Sequence, residues 1–125
     1  MKSDSARYFE NPRDAMGGQV GYNGVERLEV AVMQVALLEI TLRLDWVHSL
    51  KEKRGEVKSL LHRVQNRFHI SAMESGAQDI HQRAELAFVM LAAHRAQGDA
   101  MMEAILTFIE ENTRGEVTEV QHTYL

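Results

Sequence analysis

The residues whose types and spacing most clearly suggest a binding function are the basic side chains of segment 49–67. This segment carries six lysine and arginine residues against two glutamates, a local net charge of +4. Lys51, Arg54, Lys58 and His62 recur at i, i+3, i+7 and i+11, which places them on one solvent-facing side of a helix. Such a row of positive side chains suits the phosphates of a nucleic acid backbone. The candidate residues for binding RNA or another partner are Lys51, Lys53, Arg54, Lys58, His62 and Arg63.

A second interpretation of this basic segment is a solvated helix face that is partly neutralised within the domain. A later segment with helical periodicity carries acidic residues and no basic residue between them. These are Asp99, Glu103, Glu110 and Glu111. If the two helices pack side by side, their opposite charges compensate each other in part. The sequence leaves both interpretations open.

A polar cluster before a predicted strand is the second candidate site. Its members are Gln78, Asp79, Gln82 and Arg83. Asp79 and Arg83 could form a charge-assisted pair that fixes this connection. The alternative is a contact with a ligand or a protein. Acid–base catalysis is disfavoured, because a single carboxylate without a partner is weak evidence for it.

Neither the histidines nor the glycines form a recognisable cofactor motif. No two of the six histidines have H-x-x-x-H spacing, so scattered surface histidines are favoured over a site built from His69, Asp79 and His81. The glycines at 17, 18, 21 and 24 lack the flanking strand and helix of a phosphate-binding loop. Because the chain has no cysteine, thiolate catalysis and cysteine-ligated zinc are excluded. We therefore expect no cofactor and no metal.

Composition and length predict one globular domain. The chain has 125 residues, of which 45% are hydrophobic and 26% charged. The formal net charge of −4 gives no reason to expect nucleic acid from bulk charge, and no DNA partner is expected. No apolar run approaches the roughly 18 residues of a membrane span, and no signal peptide is evident. These features fit a cytoplasmic protein with no membrane partner.

Hydrophobic periodicity places the basic segment after a strand. Residues 35–44 alternate with the period of two that is typical of a strand. Ser49, followed by Glu52, forms a capping box that predicts a helix ending near Arg67. Within that helix, Gly55 suggests close approach by a neighbouring element, because glycine costs about 1 kcal/mol there relative to alanine.

The remaining chain predicts a second half with the same plan. Residues 68–73 form a short strand and residues 84–93 a longer one that is apolar on both faces. Gly98 and Asp99 are expected to cap a second helix, which residues 112–115 terminate before a final strand at 117–124. The order β-α-β-β-α-β predicts an α+β, ferredoxin-like sandwich with two helices on one face of an antiparallel sheet.

The other face of this sheet is predicted to be apolar but not aromatic. It would carry Val35, Leu37 and Thr41 from the first strand, and residues 87, 89 and 91 from the third. Base stacking on a sheet requires aromatic side chains there, so this mode of RNA recognition is disfavoured. An open apolar face of this size is unusual on a monomer, which predicts a homo-oligomer formed through the sheet.

Three sequence motifs together resemble the YlxP-like family, a bacterial domain of unknown function. They are SLKEKR at 49–54, NRFHIS at 66–71 and QDIHQRA at 78–84, and the resemblance extends over 33–125. It implies a ferredoxin-like fold, a plausible oligomer and no established active site. It also implies a role near translation or ribosome assembly, since the family's genes commonly neighbour those of translation factors. The sequence departs from the family at His81, where tryptophan is usual, and at Ala77, where histidine is common.

The resemblance also bears on the N-terminus. Family members commonly begin just before the first strand, where Met33 lies. We therefore expect residues 1–32 to be a flexible extension or an artefact of start-site assignment, and residues 33–125 to be the domain. Peptides from before Met33 in mass spectrometry of the native protein would contradict the second possibility.

These observations predict a non-enzymatic accessory protein. Its leading partner is ribosomal RNA or a ribosome-associated protein, bound through the basic helix. The alternative is an oligomeric small-ligand-binding or regulatory module with a site near Asp79 and Arg83. An acyl-phosphate-hydrolysing enzyme ranks third, because no phosphate loop with a nearby arginine and asparagine is present.

Overall fold

Two helices cover one face of a four-stranded antiparallel sheet in the computed structural model, which describes residues 33–125. The elements are β1 (Gln34–Arg43), α1 (Leu50–Phe68), β2 (Ser71–Gly76), β3 (Arg83–Ala92), α2 (Arg95–Asn112) and β4 (Glu116–Tyr124). The strand order is β2-β3-β1-β4, so β3 and β1 are central. The predicted ferredoxin-like fold is confirmed. The predictions for residues 1–32 lie outside the described residues.

The core lies between the central strands and the helices. Alternate side chains of β1 and β3 point toward the helices and are buried, as the period of two requires. The strands pair so that Leu38 lies opposite Phe88 and Ile40 opposite Leu86. All four side chains are at most 1% exposed. The same register leaves the intervening residues on the open face of the sheet.

The predicted capping box forms at the start of α1. Ser49 is the N-cap, and its hydroxyl accepts a hydrogen bond from the Glu52 N–H at 3.1 Å. The Glu52 carboxylate in turn accepts from the N–H of His48 at 2.9 Å, one residue before the expected donor. At the other end His69 adopts left-handed backbone with φ 55°, and its N–H donates to Gln65. The helix therefore ends one residue beyond the prediction.

The predicted start of β2 was wrong. Residue 68 belongs to α1 rather than to a strand, and β2 covers Ser71–Gly76. The ring of Phe68 packs edge-on against Phe108 of α2, with ring centroids 5.6 Å apart. Because this contact joins the two helices, it favours an additional helical residue at a position that alternation alone assigns to a strand.

The predicted cap of α2 was also wrong. The helix begins at Arg95, and His94 is the N-cap, with its Nδ1 atom accepting from Gln97 N–H at 3.2 Å. Gly98 is buried inside the helix because the Tyr124 side chain lies against it. A Cβ on Gly98 would lie 2.5 Å from the Tyr124 hydroxyl oxygen. This glycine therefore serves close packing rather than capping.

The predicted close approach of a neighbouring element at Gly55 was wrong. A Cβ at this position would meet no described atom within 4 Å. The residue lies on the exposed side of α1, so no element within residues 33–125 requires its small size.

Tyr124 joins the end of β4 to the start of α2. Its hydroxyl donates to Asp99 Oδ1 at 2.6 Å and lies 2.9 Å from the Arg95 carbonyl oxygen. The guanidinium of Arg95 stacks over the ring at 4.4 Å from its centroid. Burial, followed by the hydrogen bond to Asp99, raises the pKa of Tyr124 to about 12. The phenolate is thus disfavoured in the folded state.

This shift predicts a loss of stability in strong alkali. An unfolded tyrosine ionises near its ordinary pKa of 10.0, whereas the folded one resists ionisation until about 12. The stabilising contribution is present below pH 10 and declines as the pH rises toward 12. Denaturant unfolding of the natural chain and of Tyr124→Phe should give free energies whose difference shrinks over that interval. A difference that stays constant with pH would contradict the assignment.

Candidate functional site

The basic stripe, defined as Lys51, Arg54, Lys58 and His62, lies on the exposed side of α1. All four side chains are exposed, as the helical spacing predicted. Within residues 33–125, ion pairs join Arg43 to Asp45 and Glu116, Lys53 to Glu74, and Arg83 to Glu85. None of these pairs includes a stripe residue. The four side chains are therefore without a carboxylate partner in the described part of the chain.

The acidic residues of α2 do not neutralise the stripe through direct pairs. Asp99 accepts from the Tyr124 hydroxyl instead. Glu103, Glu110 and Glu111 are exposed and pair with no cation of residues 33–125. The two helices meet on another side of α1, where Arg63 lies beside Asn112 and the phenylalanine rings pack. Within residues 33–125 no ion pair therefore joins the two helices. The interpretation of the basic segment as a solvated helix face stays a prediction.

A groove runs between α1 and the edge strand β2, directly beside the stripe. It has a volume of about 430 Å³. Apolar atoms of Val57, Leu61 and Ala72 line it, together with three stripe side chains: Arg54, Lys58 and His62. Leu61 is half-buried and packs against the core from the side of this groove. The surface thus combines positive charge with an apolar depression.

Lys53 was wrongly placed among the candidate binding residues. Its side chain is fully buried, and Nζ lies 2.7 Å from Glu74 Oε2 on β2 as an ion pair. The same ammonium donates to the carbonyl of Ala77, which has left-handed backbone with φ 56°. Lys53 therefore fixes α1 to β2 and to the connection after it, and it is not accessible to a partner.

Arg63 is exposed but lies away from the stripe. Its Nη1 atom is 3.5 Å from Asn112 Oδ1 at the end of α2, a long hydrogen bond. The sequence grouped Arg63 with the stripe by charge alone. Its five-residue offset from Lys58 corresponds to about 140° around a helix, which explains the different direction.

The polar cluster of Gln78, Asp79, Gln82 and Arg83 mainly makes contacts within the domain. The amide of Gln78 donates to the Glu74 carbonyl, and that of Gln82 donates to the carbonyls of Asp45 and Val47, each at 3.2 Å. Arg83 Nε donates to Glu85 Oε2 at 2.9 Å rather than to Asp79. The predicted Asp79–Arg83 pair was therefore wrong. Asp79 is exposed. Gln78 and Gln82 contact the connections around the sheet, whereas Arg83 pairs within β3.

Two glutamine amides also cover the edge of the sheet at β2. Gln65 Nε2 donates to the Ala72 carbonyl at 3.4 Å, and Gln78 occupies the Glu74 carbonyl. Edge strands with free backbone groups tend to pair with other chains, and occupied carbonyls reduce that tendency. The groove is consequently a side-chain surface more than a site for strand addition.

No group of three or more His, Asp or Glu side chains within residues 33–125 could hold a metal ion. The fold does not assemble His69, Asp79 and His81 into such a group. His69 terminates α1, and His94 caps α2. Across the same residues, no helix is long and apolar enough to cross a membrane.

The open face of the sheet has the residues that the sequence predicted. The register places Val35, Leu37 and Thr41 of β1 beside Ala87, Val89 and Leu91 of β3. Position by position, β2 contributes Ser71, Met73 and Ser75, and β4 contributes Glu119, Gln121 and Thr123. None of these residues is aromatic. A base-stacking platform of the kind found on RNA-binding sheets is therefore missing from the described strands.

A family described as "Protein of unknown function (DUF503)" matches residues 35–122. The chain is 40% identical over 62 residues to "Uncharacterized protein YlxP" of Bacillus subtilis (strain 168), covering 50% of this chain and 67% of that protein. Among solved structures, the de novo designed protein Foldit4 aligns with 73% of this chain and 96% of its own, at 18% identity and a TM-score of 0.39. The family match extends over well above half of the chain. The chain therefore belongs to the DUF503 family of proteins of unknown function, in agreement with the YlxP-like resemblance of its sequence motifs.

Proposed function

We propose that this chain is a non-enzymatic cytoplasmic accessory protein that binds ribosomal RNA through the basic stripe of α1. The observation that carries the proposal is that Lys51, Arg54, Lys58 and His62 are exposed and have no carboxylate partner among residues 33–125. Uncompensated cations on a helix attract phosphate by releasing its condensed counterions. The translation context implied by the YlxP-like resemblance favours ribosomal RNA over other nucleic acids.

The geometry favours contacts to the RNA backbone. Eleven residues separate Lys51 from His62, which corresponds to about 16 Å along a helix axis. Positive groups distributed over this length can follow several phosphates. Because the open sheet face has no aromatic side chains, contacts to the backbone rather than stacking of bases would supply the affinity. The groove beside the stripe adds apolar surface for a ribose or base.

Salt dependence provides the direct test. If three stripe residues each neutralise one phosphate, affinity should fall by about 20- to 40-fold between 50 and 200 mM salt. Fluorescence anisotropy with a labelled ribosomal RNA fragment would measure this decline. Absence of binding at low salt would refute the proposal.

Two double charge reversals on α1 test whether the basic stripe is the surface that binds RNA. Arg54→Glu with Lys58→Glu should weaken binding by more than about tenfold and reduce the salt slope by about two. The matched control is Arg63→Glu with Arg67→Glu, which makes the same change in charge. Arg63 lies beside Asn112, and Arg67 lines the groove between α1 and α2. Equal losses in both double variants would indicate nonspecific attraction and contradict a stripe-directed site.

Sedimentation with ribosomes separates RNA from protein as the partner. Co-sedimentation that nuclease treatment abolishes supports RNA, whereas nuclease-resistant association would point to a ribosome-associated protein. The alternative module with a site near Asp79 and Arg83 has less support, because Gln78, Gln82 and Arg83 are engaged within the domain.

A further inference from the structure

The open face of the sheet carries a contiguous apolar patch. Its most exposed members are Leu125 at 73%, Met73 at 59%, Leu91 at 50% and Val89 at 37%. Strand register sets them beside three half-buried apolar residues on the same face: Val35, Leu37 and Ala87. Contiguous patches of this kind on a soluble protein mark interaction sites more often than isolated apolar residues do.

The patch occupies one half of the face and follows the strand register. Leu91 lies opposite Val35, and the Leu125 N–H donates to the Val35 carbonyl, which extends the row. Val89 lies opposite Leu37 in the next row. The chemistry then changes along the strands, since the far half carries charged side chains.

The charged half is partly neutralised within the chain. Arg83 pairs with Glu85, and Arg43 pairs with Asp45 and Glu116. The Arg83–Glu85 pair lines a small polar cavity of about 150 Å³ that also has Glu39 and Glu119 in its lining. The face as a whole thus has an apolar half that could be buried and a polar half that could remain hydrated, the composition of an interface core and rim.

We propose that this face binds a second copy of the chain, with the apolar patches of the two copies in contact across a two-fold interface. In an isologous pair whose axis runs along the strands, the apolar half of each copy meets that of the other. The polar halves then meet at the rim, where ion pairs within each copy limit repulsion. A second copy suits the patch better than RNA, since the patch contains neither cations nor aromatic rings.

The size of the face is sufficient for such a pair. Four strands spaced by about 4.8 Å and roughly 9 residues long give a face on the order of 500 Å² per copy. Two copies would bury on the order of 1,000 Å², which is near the lower limit for a biological interface. The dimer would therefore be of moderate affinity and sensitive to a single charge in the apolar half.

This surface is independent of the proposed RNA site. The basic stripe lies on α1, on the opposite side of the sheet. A dimer formed through the open face would display one stripe on each outer layer. Loss of the dimer should consequently leave the stripe intact, and the two proposals can fail separately.

Val89 and Val120 provide a matched pair of variants. They are the same residue type with nearly equal exposure, 37% and 39%, but on opposite faces of the sheet. Sedimentation equilibrium of the full chain should give twice its mass of 14.2 kDa. Val89→Lys should give a monomer, with the dissociation constant raised at least about 100-fold by a buried, unpaired charge. Val120→Lys should remain dimeric.

Three results would overturn the proposal. They are a monomeric natural chain throughout the micromolar range, an oligomer that survives Val89→Lys, and equal dissociation by both variants. Circular dichroism would verify that each variant is folded. If Val89→Lys does not fold, Leu91→Lys provides the same test at a more exposed position.

Discussion

Replacing Lys53 by methionine is expected to destabilise the domain by about 3–5 kcal/mol, because it leaves Glu74 without its cation in a largely dry environment. Lys53 is fully buried, and the Glu74 side chain is only 17% exposed. Methionine retains much of the apolar length of lysine but cannot donate to the Ala77 carbonyl. Denaturant unfolding would measure the loss, which corresponds to a fall in Tm of about 12 °C or more.

Lys51→Met is the matched control for this prediction. It removes the same charge from the same helix at an exposed position, so the free energy of unfolding should change by less than about 0.5 kcal/mol. Converting Glu74 to leucine in the Lys53→Met background should recover part of the stability, since apolar replacement of a whole buried pair is often tolerated. Similar effects of Lys51→Met and Lys53→Met would show that the pair is not buried in solution.

The Lys53 pair illustrates which part of the candidate site could be predicted. The exposed stripe followed from i, i+3 and i+7 spacing alone. The burial of Lys53 could also have been recognised, because it lies three residues after Leu50 and four before Val57, within the apolar periodicity of α1. A count of charged residues that ignores the face of the helix on which each one lies does not reveal that Lys53 is buried. Its partner Glu74 could not be inferred, since the pairing depends on how β2 is placed against the helix.

The fold was predictable where local pattern determines it. Alternation was sufficient for β1 and β3, and the Ser49 capping box fixed the start of α1. The boundaries of β2 and α2 depend instead on contacts between distant segments. Phe68 remains helical against Phe108, and Gly98 is buried beneath Tyr124. Neither partner is close in sequence, so local pattern does not contain the information.

The two proposed surfaces also differ in how they depend on the fold. The basic stripe needs only a formed helix with exposed cations. The apolar patch needs four strands in register, because Leu91, Val35 and Leu125 come from separate segments. Disrupting the sheet should therefore abolish self-association while local helical charge persists. The apolar patch therefore depends mainly on the pairing of the central strands β1 and β3 in register.

Phe88→Ala is expected to have an equally large effect on stability, about 3–5 kcal/mol, through the cavity that it leaves in the core. Phe88 is fully buried on β3, opposite Leu38 of β1 and Ala72 of β2, so its ring lies where three strands meet the helices. A loss of this size consumes much of the 5–15 kcal/mol that is typical of a domain.

A smaller truncation of Phe88 provides a control for this prediction. Phe88→Leu retains most of the apolar volume and should therefore lose less stability than Phe88→Ala. Val120→Ala, at a position that is 39% exposed on β4, should change the free energy of unfolding by less than about 1 kcal/mol. Urea unfolding should show the largest loss of stability for Phe88→Ala, a smaller loss for Phe88→Leu and the smallest for Val120→Ala. A Phe88→Ala variant no less stable than Val120→Ala would contradict the central position of β3, on which both the core and the apolar patch depend.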